Sequence, residues 1–477
     1  MSGKEKKPKI LVMKFGGTSV GSVEAMSNAA QIVLEQEGLW DGMAVVVSAM
    51  SGVTNTLISG TEAAIADDVA SCEKVMSDLR ERHFSTIKKF SLPAEELKIV
   101  EEEVSRLFDD LETYYAGVRT LSEVTARGRD TILSYGERVN ARIFSALLRA
   151  KGGKSKAVDA TKVIVTDDNF QSASPLMEAT QKQVEIVLTP LFPDSIVPVV
   201  TGFIGATKQG QLTTLGRGGS DYTASILGAC LRAAEVWTWT DVDGVMTADP
   251  RVVKNAKVIP TISYSEVSEM AYFGAKVLHP KTIRPIIERD IPLWVKNTFN
   301  PDFPGTCITK NGTEMSGKIA AVTAIKELSM VTVEGRGMLG VPGIAARTFS
   351  AVAKQGASVL MISQSSSEQS ICFVIPSEKA DKVVKALNDE LSQEIQRRDI
   401  DTVWELAGVV IVTVIGAGLR TAPRVAGRVF SAVGQADVNI IAIAQGSSEY
   451  SISLVVSNEQ AEEAVQQIHQ HVVLNGG

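Results

Sequence analysis

The run Lys14-Phe15-Gly16-Gly17-Thr18-Ser19-Val20 follows an apolar stretch that reads as a β-strand. Two consecutive glycines let backbone N–H groups come close to phosphate oxygens, and a following helix would turn its positive end toward them. Lys14, at the strand end, can reach the same anion. The loop is not a Walker A, in which the lysine follows the glycines. Taken alone, an ordinary strand-to-helix turn with a charged last residue explains these residues equally well.

A second segment is harder to read as scaffolding. Thr213-Thr214-Leu215-Gly216-Arg217-Gly218-Gly219-Ser220-Asp221 puts three glycines, an arginine, a hydroxyl and a carboxylate into its last six positions. A guanidinium fork can hold a carboxylate through two parallel hydrogen bonds, which is the task that suits Arg217. Asp221 is suited to orienting a lysine or assisting a magnesium ion. A structural loop rarely combines both charge signs with so much backbone freedom.

The third segment, Thr240-Asp241-Val242-Asp243-Gly244-Val245-Met246-Thr247-Ala248-Asp249-Pro250-Arg251, follows another strand candidate. Open α/β sheets bind ligands beyond the carboxyl ends of their strands, where such a loop would sit. Its carboxylates invite a calcium reading, but the EF-hand spacing and its terminal glutamate are missing. Phe273-Gly274-Ala275-Lys276-Val277-Leu278-His279-Pro280 supplies a further lysine. His279 reads as structural, because phosphoryl transfer to an ionised carboxylate needs no general base.

These loops need a frame to hold them. Apolar runs at 10–15, 43–48, 156–159, 196–201, 236–240 and 292–296 alternate with helical patterns, which predicts α/β layering around a largely parallel sheet. Between 56 and 120 the pattern becomes charged and helix-periodic with Pro93 its one proline, and reads as a helical excursion from the sheet. The turn-rich stretch 297–317 is the expected domain boundary.

Beyond that boundary the chain repeats itself. Gly335-Arg336-Gly337-Met338 recurs 81 residues later as Gly416-Ala417-Gly418-Leu419. The same shift carries Pro342 to Pro423, Arg347 to Arg428, Phe349 to Phe430, Gln364 to Gln445, and Ser366-Ser367-Glu368 to Ser447-Ser448-Glu449. Each copy reads strand, glycine turn, helix, strand, turn, strand, a duplicated βαββ-type unit. The first copy also contains a dinucleotide-like GxGxxG, Gly335 to Gly340. Its duplicate loses the third glycine, and the unit around it is no βαβ wrap, so nicotinamide binding is rejected.

Together these segments resemble the aspartate kinase branch of the amino-acid kinase fold, and the likeness covers nearly the whole chain. KFGGTSV, GRGGSD, TDVDG…TADPR and FGAKVLHP stand in the family's order, and the C-terminal repeats resemble paired ACT domains. The resemblance implies a catalytic domain at 1–310 and α+β regulatory domains of ACT type (βαββαβ) at 319–405 and 406–477. It implies MgATP as phosphoryl donor, aspartate as acceptor, and no metal held by the protein alone. Lys14, Gly16 and Gly17 would then contact the transferring phosphate, and Asp221 would organise Lys14 and Lys276 around it. Thr240, Asp241, Arg251, Lys276 and Val277 would surround the nucleotide, with Met246 where many relatives place an aromatic residue near adenine. A thioether can fill that space. Ser48 and Thr54 would line the acceptor pocket with Gly218, Gly219 and Ser220, Glu137 would bind the substrate ammonium, and Arg217 its α-carboxylate. Gln364 and Gln445 would meet an inhibitory amino acid at ACT interfaces of a homodimer or larger homo-oligomer. The tail most resembles threonine-sensitive forms, which favours threonine over lysine. Relatives fused to homoserine dehydrogenase continue well past the second repeat, so that activity is expected to be absent.

Two rivals remain. One is another kinase of the same fold, acting on acetylglutamate, carbamate or a nucleoside monophosphate; the other is an inactive amino-acid sensor. Glu137 and the duplicated tail count against the first, and intact Lys14, Arg217, Asp221 and Lys276 against the second. Composition fits an enzyme of this kind: 477 residues, 44% hydrophobic and 22% charged, suggest about three domains with real cores. A net charge of −7 argues against nucleic acid as a partner. Lys4, Lys6, Lys7 and Lys9 precede no signal-peptide apolar core, and no run is long enough to span a bilayer, so a cytoplasmic protein without a membrane partner is expected. Cys72, Cys230, Cys307 and Cys372 are scattered, as are the four histidines, and suggest neither zinc nor disulfides.

Overall fold

The computed structural model describes residues 8–275, 278–312, 318–338, 341–364, 369–445 and 448–474. The chain forms two compact units, Met1–Val245 with Pro260–Tyr264 and Leu278–Gly312, and Met246–Ile259 with Ser265–Val277 and Thr313–Gly477. This division departs from chain order, since two short segments expected in the catalytic domain join the C-terminal body.

An eight-stranded sheet runs through the first unit. In spatial order its strands are Ser155–Val158, Val197–Thr201, Gly42–Val47, Ile10–Phe15, Glu235–Thr240, Leu293–Asn297, Thr306–Thr309 and Thr261–Ser263. Neighbours are parallel except Leu293–Asn297 with Thr306–Thr309. All six strands expected from the sequence form, with ends shifted by at most one residue. Ile10–Phe15 and Gly42–Val47 are buried at every position. That is why they are continuously apolar, as parallel strands covered on both faces must be. Ile10–Phe15 lies between Gly42–Val47 and Glu235–Thr240, so the winding changes direction there. The carboxyl ends of those strands open the crevice used for ligands in such sheets.

Two appendages complete the crevice. Helices Val53–Ile65, Val69–Lys89 and Ala94–Leu121 form the helical segment. On the last, Val100, Val104, Leu107, Phe108, Leu111, Tyr115 and Val118 make a buried stripe at helical spacing. The Tyr115 hydroxyl donates to the Leu57 carbonyl at 3.0 Å, which anchors the helix whose first turn carries Thr54. A small sheet of Val165–Thr166, Ile204–Thr207 and Leu212–Thr214 ends in an antiparallel pair that delivers the chain into residues 215–221.

The second unit is built on six antiparallel strands: Met361–Gln364, Ser370–Pro376, Ile319–Glu334, Thr402–Gly416, Ser451–Ser457 and Ala442–Ala444. Helices Ile344–Lys354 and Val425–Gln435, and strands Ser370–Pro376 and Ser451–Ser457, superpose under the 81-residue shift read from sequence. The sheet does not part at residue 405. Strand Thr402–Gly416 runs through that point, its first half pairing with Leu328–Glu334 and its second with residues 319–325. Each repeat therefore takes its fourth strand from the other. Val331 and Val333 pack in one core with Val403, while Ile319 and Val322 pack in another with Val410 and Val412.

This exchange accounts for the repeated glycines. A Cβ on Gly335 would lie 2.3 Å from the Asp399 carbonyl, and one on Gly416 2.2 Å from the Lys318 carbonyl. Backbones meet there too closely for any side chain, and no ligand is needed to explain the pattern.

Candidate active site

A cavity of about 610 Å³ opens at the carboxyl ends of the central strands of the first unit. Lys14, on the last turn of pleat in Ile10–Phe15, is 8% exposed and reaches it from below. Its Nζ lies 2.7 Å from Asp221 Oδ1, so the two side chains are partnered. Gly17 lines the cavity. Gly16 does not, and its N–H is already donated to the Trp239 carbonyl at 3.1 Å. The helix after this turn begins only at Val23, capped by the Ser22 side chain, which leaves Lys14 as the main cationic feature of the loop.

Asp221 sits in the first turn of helix Gly219–Leu231. The turn before it requires glycine, with φ of +77° at Gly216 and +72° at Gly218, in the left-handed region. Arg217, Gly218, Gly219 and Ser220 line the cavity with Asp221. Ser48, just beyond Gly42–Val47, and Thr54 line the facing wall. The Ser48 carbonyl is fixed by Asn140 Nδ2 at 2.6 Å.

Glu137 enters from the first turn of helix Tyr135–Ala150 and is 4% exposed. Burial pushes its carboxyl up to about 8, against which main-chain N–H groups of Ala49 and of Glu137 itself pull weakly. Its Oε2 has no hydrogen-bond partner. A buried acceptor left unmatched is costly unless a ligand supplies the donor. Arg129, Gln171 and Phe203, which sequence reasoning does not single out, also line the cavity, as does Thr214 from the segment that carries Arg217. Neither Arg129 nor Arg217 forms an ion pair with a described residue. Phe203 holds a positive φ of 69°, strain of the kind that gathers at functional sites. Arg129 stands in an unremarkable polar run, Thr125-Ala126-Arg127-Gly128-Arg129-Asp130, which gave no signal of its place.

The expected nucleotide residues are distributed differently. Thr240 ends its strand, and its hydroxyl donates to Asp241 Oδ1 at 3.1 Å. Met246 and Arg251 belong to the second unit. There Met246 bridges to Val258, and Arg251 is clamped onto Asp249 at 2.6 Å, holding that carboxyl below its usual range. Lys276 and Val277 lie outside the described residues. Within the second unit Ala248 and Val253 enter the same core as Val412, Val429 and Ile468. The Thr247 hydroxyl meets His469 Nε2 at 2.8 Å.

Gln364 and Gln445 occupy matching exposed positions at the ends of Met361–Gln364 and just after Ala442–Ala444. Ser366, Ser367, Glu368 and Ser447 lie outside the described residues. Ser448 donates to Glu269 Oε1 at 3.0 Å, and Glu449 pairs with Arg420 at 2.8 Å. Among the described residues no helix is long and apolar enough to cross a membrane, and no three His, Cys, Asp or Glu side chains converge as a metal site.

Residues 9–297 match the profile of the amino acid kinase family, and 331–391 and 412–472 each match that of the ACT domain. The bifunctional aspartokinase/homoserine dehydrogenase of Haemophilus influenzae is 36% identical over 466 residues, covering 97% of this chain and 56% of that protein. The chain thus spans about half the length of the bifunctional relatives it matches. Aspartokinase 1, chloroplastic, of Arabidopsis thaliana is 34% identical over 472 residues, covering 98% of this chain and 80% of that one. Escherichia coli aspartokinase III, solved with aspartate and ADP in an R-state, shares 32% identity at a TM-score of 0.78, covering 97% of this chain and 100% of that one. The same enzyme has been solved in a T-state with lysine and aspartate, at a TM-score of 0.79.

Proposed function

Because this chain belongs to the amino acid kinase family and, within it, to the aspartokinases, we propose that it transfers the γ-phosphate of MgATP to the β-carboxylate of L-aspartate. The product is 4-phospho-L-aspartate, the first intermediate toward lysine, threonine and methionine. One observation carries the reading: Glu137, buried with its Oε2 unmatched, shares a cavity with Arg217, which pairs with no described acid, and the Lys14–Asp221 pair. An α-amino acid with an acidic side chain complements all three. A simple carboxylate or carbamate would leave Glu137 Oε2 without a donor.

Glu137 accepts from the substrate ammonium, and Arg217 grips the α-carboxylate through two parallel bonds. The β-carboxylate is then left for the Lys14 end of the cavity. One of its oxygens forms the new bond to the γ-phosphorus as the bond to the β,γ-bridging oxygen breaks, and ADP leaves with that electron pair. The nucleophile is already ionised at neutral pH, so no proton moves. Donor and acceptor are both anions, and catalysis must screen charge and align them in line. Lys14, held by Asp221, supplies that screening. A magnesium ion carried on the nucleotide phosphates would supply further neutralisation when bound.

A coupled assay with MgATP and either aspartate, acetylglutamate or carbamate tests the reading. Turnover confined to aspartate is expected, and turnover with another acceptor alone overturns it. Feedback inhibition is part of the proposal, with Gln364 and Gln445 offering amide groups to an amino acid on the regulatory sheet, in a homodimer or larger assembly. The likeness of the tail to threonine-sensitive forms favours threonine. Lysine is the second reading, because Escherichia coli aspartokinase III binds lysine in its T-state.

A further inference from the structure

We propose that Asp130 is a positioning residue that sets the geometry of the acceptor pocket by tying three of its walls to one carboxylate. The inference rests on the reading of the cavity as an aspartate site. Asp130 lies on helix Ala126–Leu133, is 0% exposed, and touches neither the cavity nor solvent. Its neighbours Arg129 and Leu133 on the same helix do line the cavity. Oδ2 accepts from the Gln171 N–H at 2.9 Å and from the Thr214 N–H at 3.0 Å, and Oδ1 accepts from the Thr214 hydroxyl at 2.8 Å.

Gln171, in a turn, and Thr214, at the end of strand Leu212–Thr214, are themselves cavity residues. The Ala173 N–H donates to the Thr214 carbonyl at 2.9 Å, so the two segments run side by side where Asp130 pinches them. Thr214 is followed at once by Leu215, Gly216 and Arg217. A Cβ at Gly216 would lie 3.2 Å from the Gln171 carbonyl, which shows how tightly that turn is stacked on the segment Asp130 holds. The carboxylate therefore fixes the point from which the chain turns out to present Arg217, and fixes it against the helix bearing Arg129. No described cation pairs with Asp130, and its three donors are neutral. Its task is geometric.

That distinction makes the proposal testable. In Asp130→Asn the amide oxygen can accept both N–H groups, and the amide NH₂ can donate to Thr214 Oγ1, because a hydroxyl both donates and accepts. Asp130→Glu keeps the charge but pushes the carboxylate a methylene too far. Asp130→Ala removes the tie. Steady-state kinetics are measured with aspartate and ATP varied separately, beside thermal melts of each variant. Asp130→Asn should keep the aspartate KM within about threefold of wild type, while Asp130→Glu and Asp130→Ala raise it by about tenfold or more, with the ATP KM within twofold, as expected when a binding group is displaced by a fraction of an ångström. A melting temperature that falls without any change in aspartate KM overturns the proposal, as does an Asn variant as impaired as Glu. If Asp130→Ala does not fold, the Asn and Glu variants decide alone. Wild type is the control for the underlying reading: if it does not phosphorylate aspartate, that reading fails, whatever the variants do.

Discussion

Glu137 lies buried, and loss of solvent pushes its carboxyl up to about 8. Pairing with an ammonium requires the ionised form, so aspartate must displace a proton below that pH. The kcat/KM for aspartate should therefore climb from pH 6 toward pH 8 and level off, and Glu137→Gln should flatten the profile. The same substitution should raise the aspartate KM by about tenfold or more, the worth of a charge-assisted hydrogen bond. Stability gives an independent check. The folded protein holds this proton up to about 8, whereas the unfolded chain releases it near the ordinary glutamate value of 4.5. The stabilisation from Glu137 is thus fully present below 4.5 and lost as pH rises through 8. Melting curves without ligand should show wild type losing ground to Glu137→Gln between pH 5 and 8; parallel curves would place the carboxylate in a wetter setting than the structure gives it. Lys14 and Asp221 form a closed pair, and removing either leaves the other uncompensated. Lys14→Met and Asp221→Asn should each lower kcat by about 10²–10³-fold, with the double variant little worse than the poorer single one, because they act as a unit. Losses that multiply would separate their roles.

At the scale of elements, close backbone approach does the work that a first look at the glycines would give to phosphate. Gly416→Ala forces a methyl group into the Lys318 carbonyl and should destabilise the second unit by about 1–3 kcal/mol. Gly427 sits on helix Val425–Gln435 with nothing within 4 Å of its Cβ position. Gly427→Ala should stabilise the same unit by about 0.5–1 kcal/mol through helix propensity alone. Chemical denaturation read by a probe in the regulatory unit distinguishes the two, and equal effects would mean that packing at Gly416 relaxes freely. The GRGGSD turn uses glycine for the other reason, the left-handed φ at Gly216 and Gly218 that aims Arg217 and Asp221.

For the whole molecule, the chain-order division into catalytic and regulatory parts gives way to an interleaved one. Segment Met246–Ile259, which carries Met246 and Arg251, contributes Ala248 and Val253 to the core of the second repeat. Residues expected at the nucleotide are thus built into the regulatory body. An inhibitor that binds the inactive state more tightly should lower the binding affinity for ATP or aspartate, and that substrate should weaken inhibitor binding by the same factor. Activity measured against threonine, lysine and methionine, singly and in pairs, is expected to fall with threonine. Inhibition by lysine alone overturns the choice of effector, and indifference to all three overturns the regulatory reading.

Much of this was legible in one dimension because the relevant physics is local. Fully buried parallel strands must be almost continuously apolar, as Ile10–Phe15, Gly42–Val47 and Val197–Thr201 are, and all six predicted strands form to within a residue. A duplicated unit keeps its spacing, so the 81-residue shift reappears in helices and strands alike. Dense glycine with mixed charge marked Arg217 and Asp221, the family resemblance set Lys14 beside them, and the fold puts all three in one cavity. What depends on contacts distant in sequence was not legible. Arg129 and Asp130 look like any polar helix residues until Thr214, 84 positions away from Asp130, is brought against them. The duplicate's missing third glycine ruled out a nucleotide fingerprint at Gly335, but why glycine is needed there shows only once the Asp399 carbonyl is seen beside it. The repeats look consecutive in the chain, yet two long strands must each serve both cores, because a three-stranded repeat leaves a sheet edge that only the other can pair.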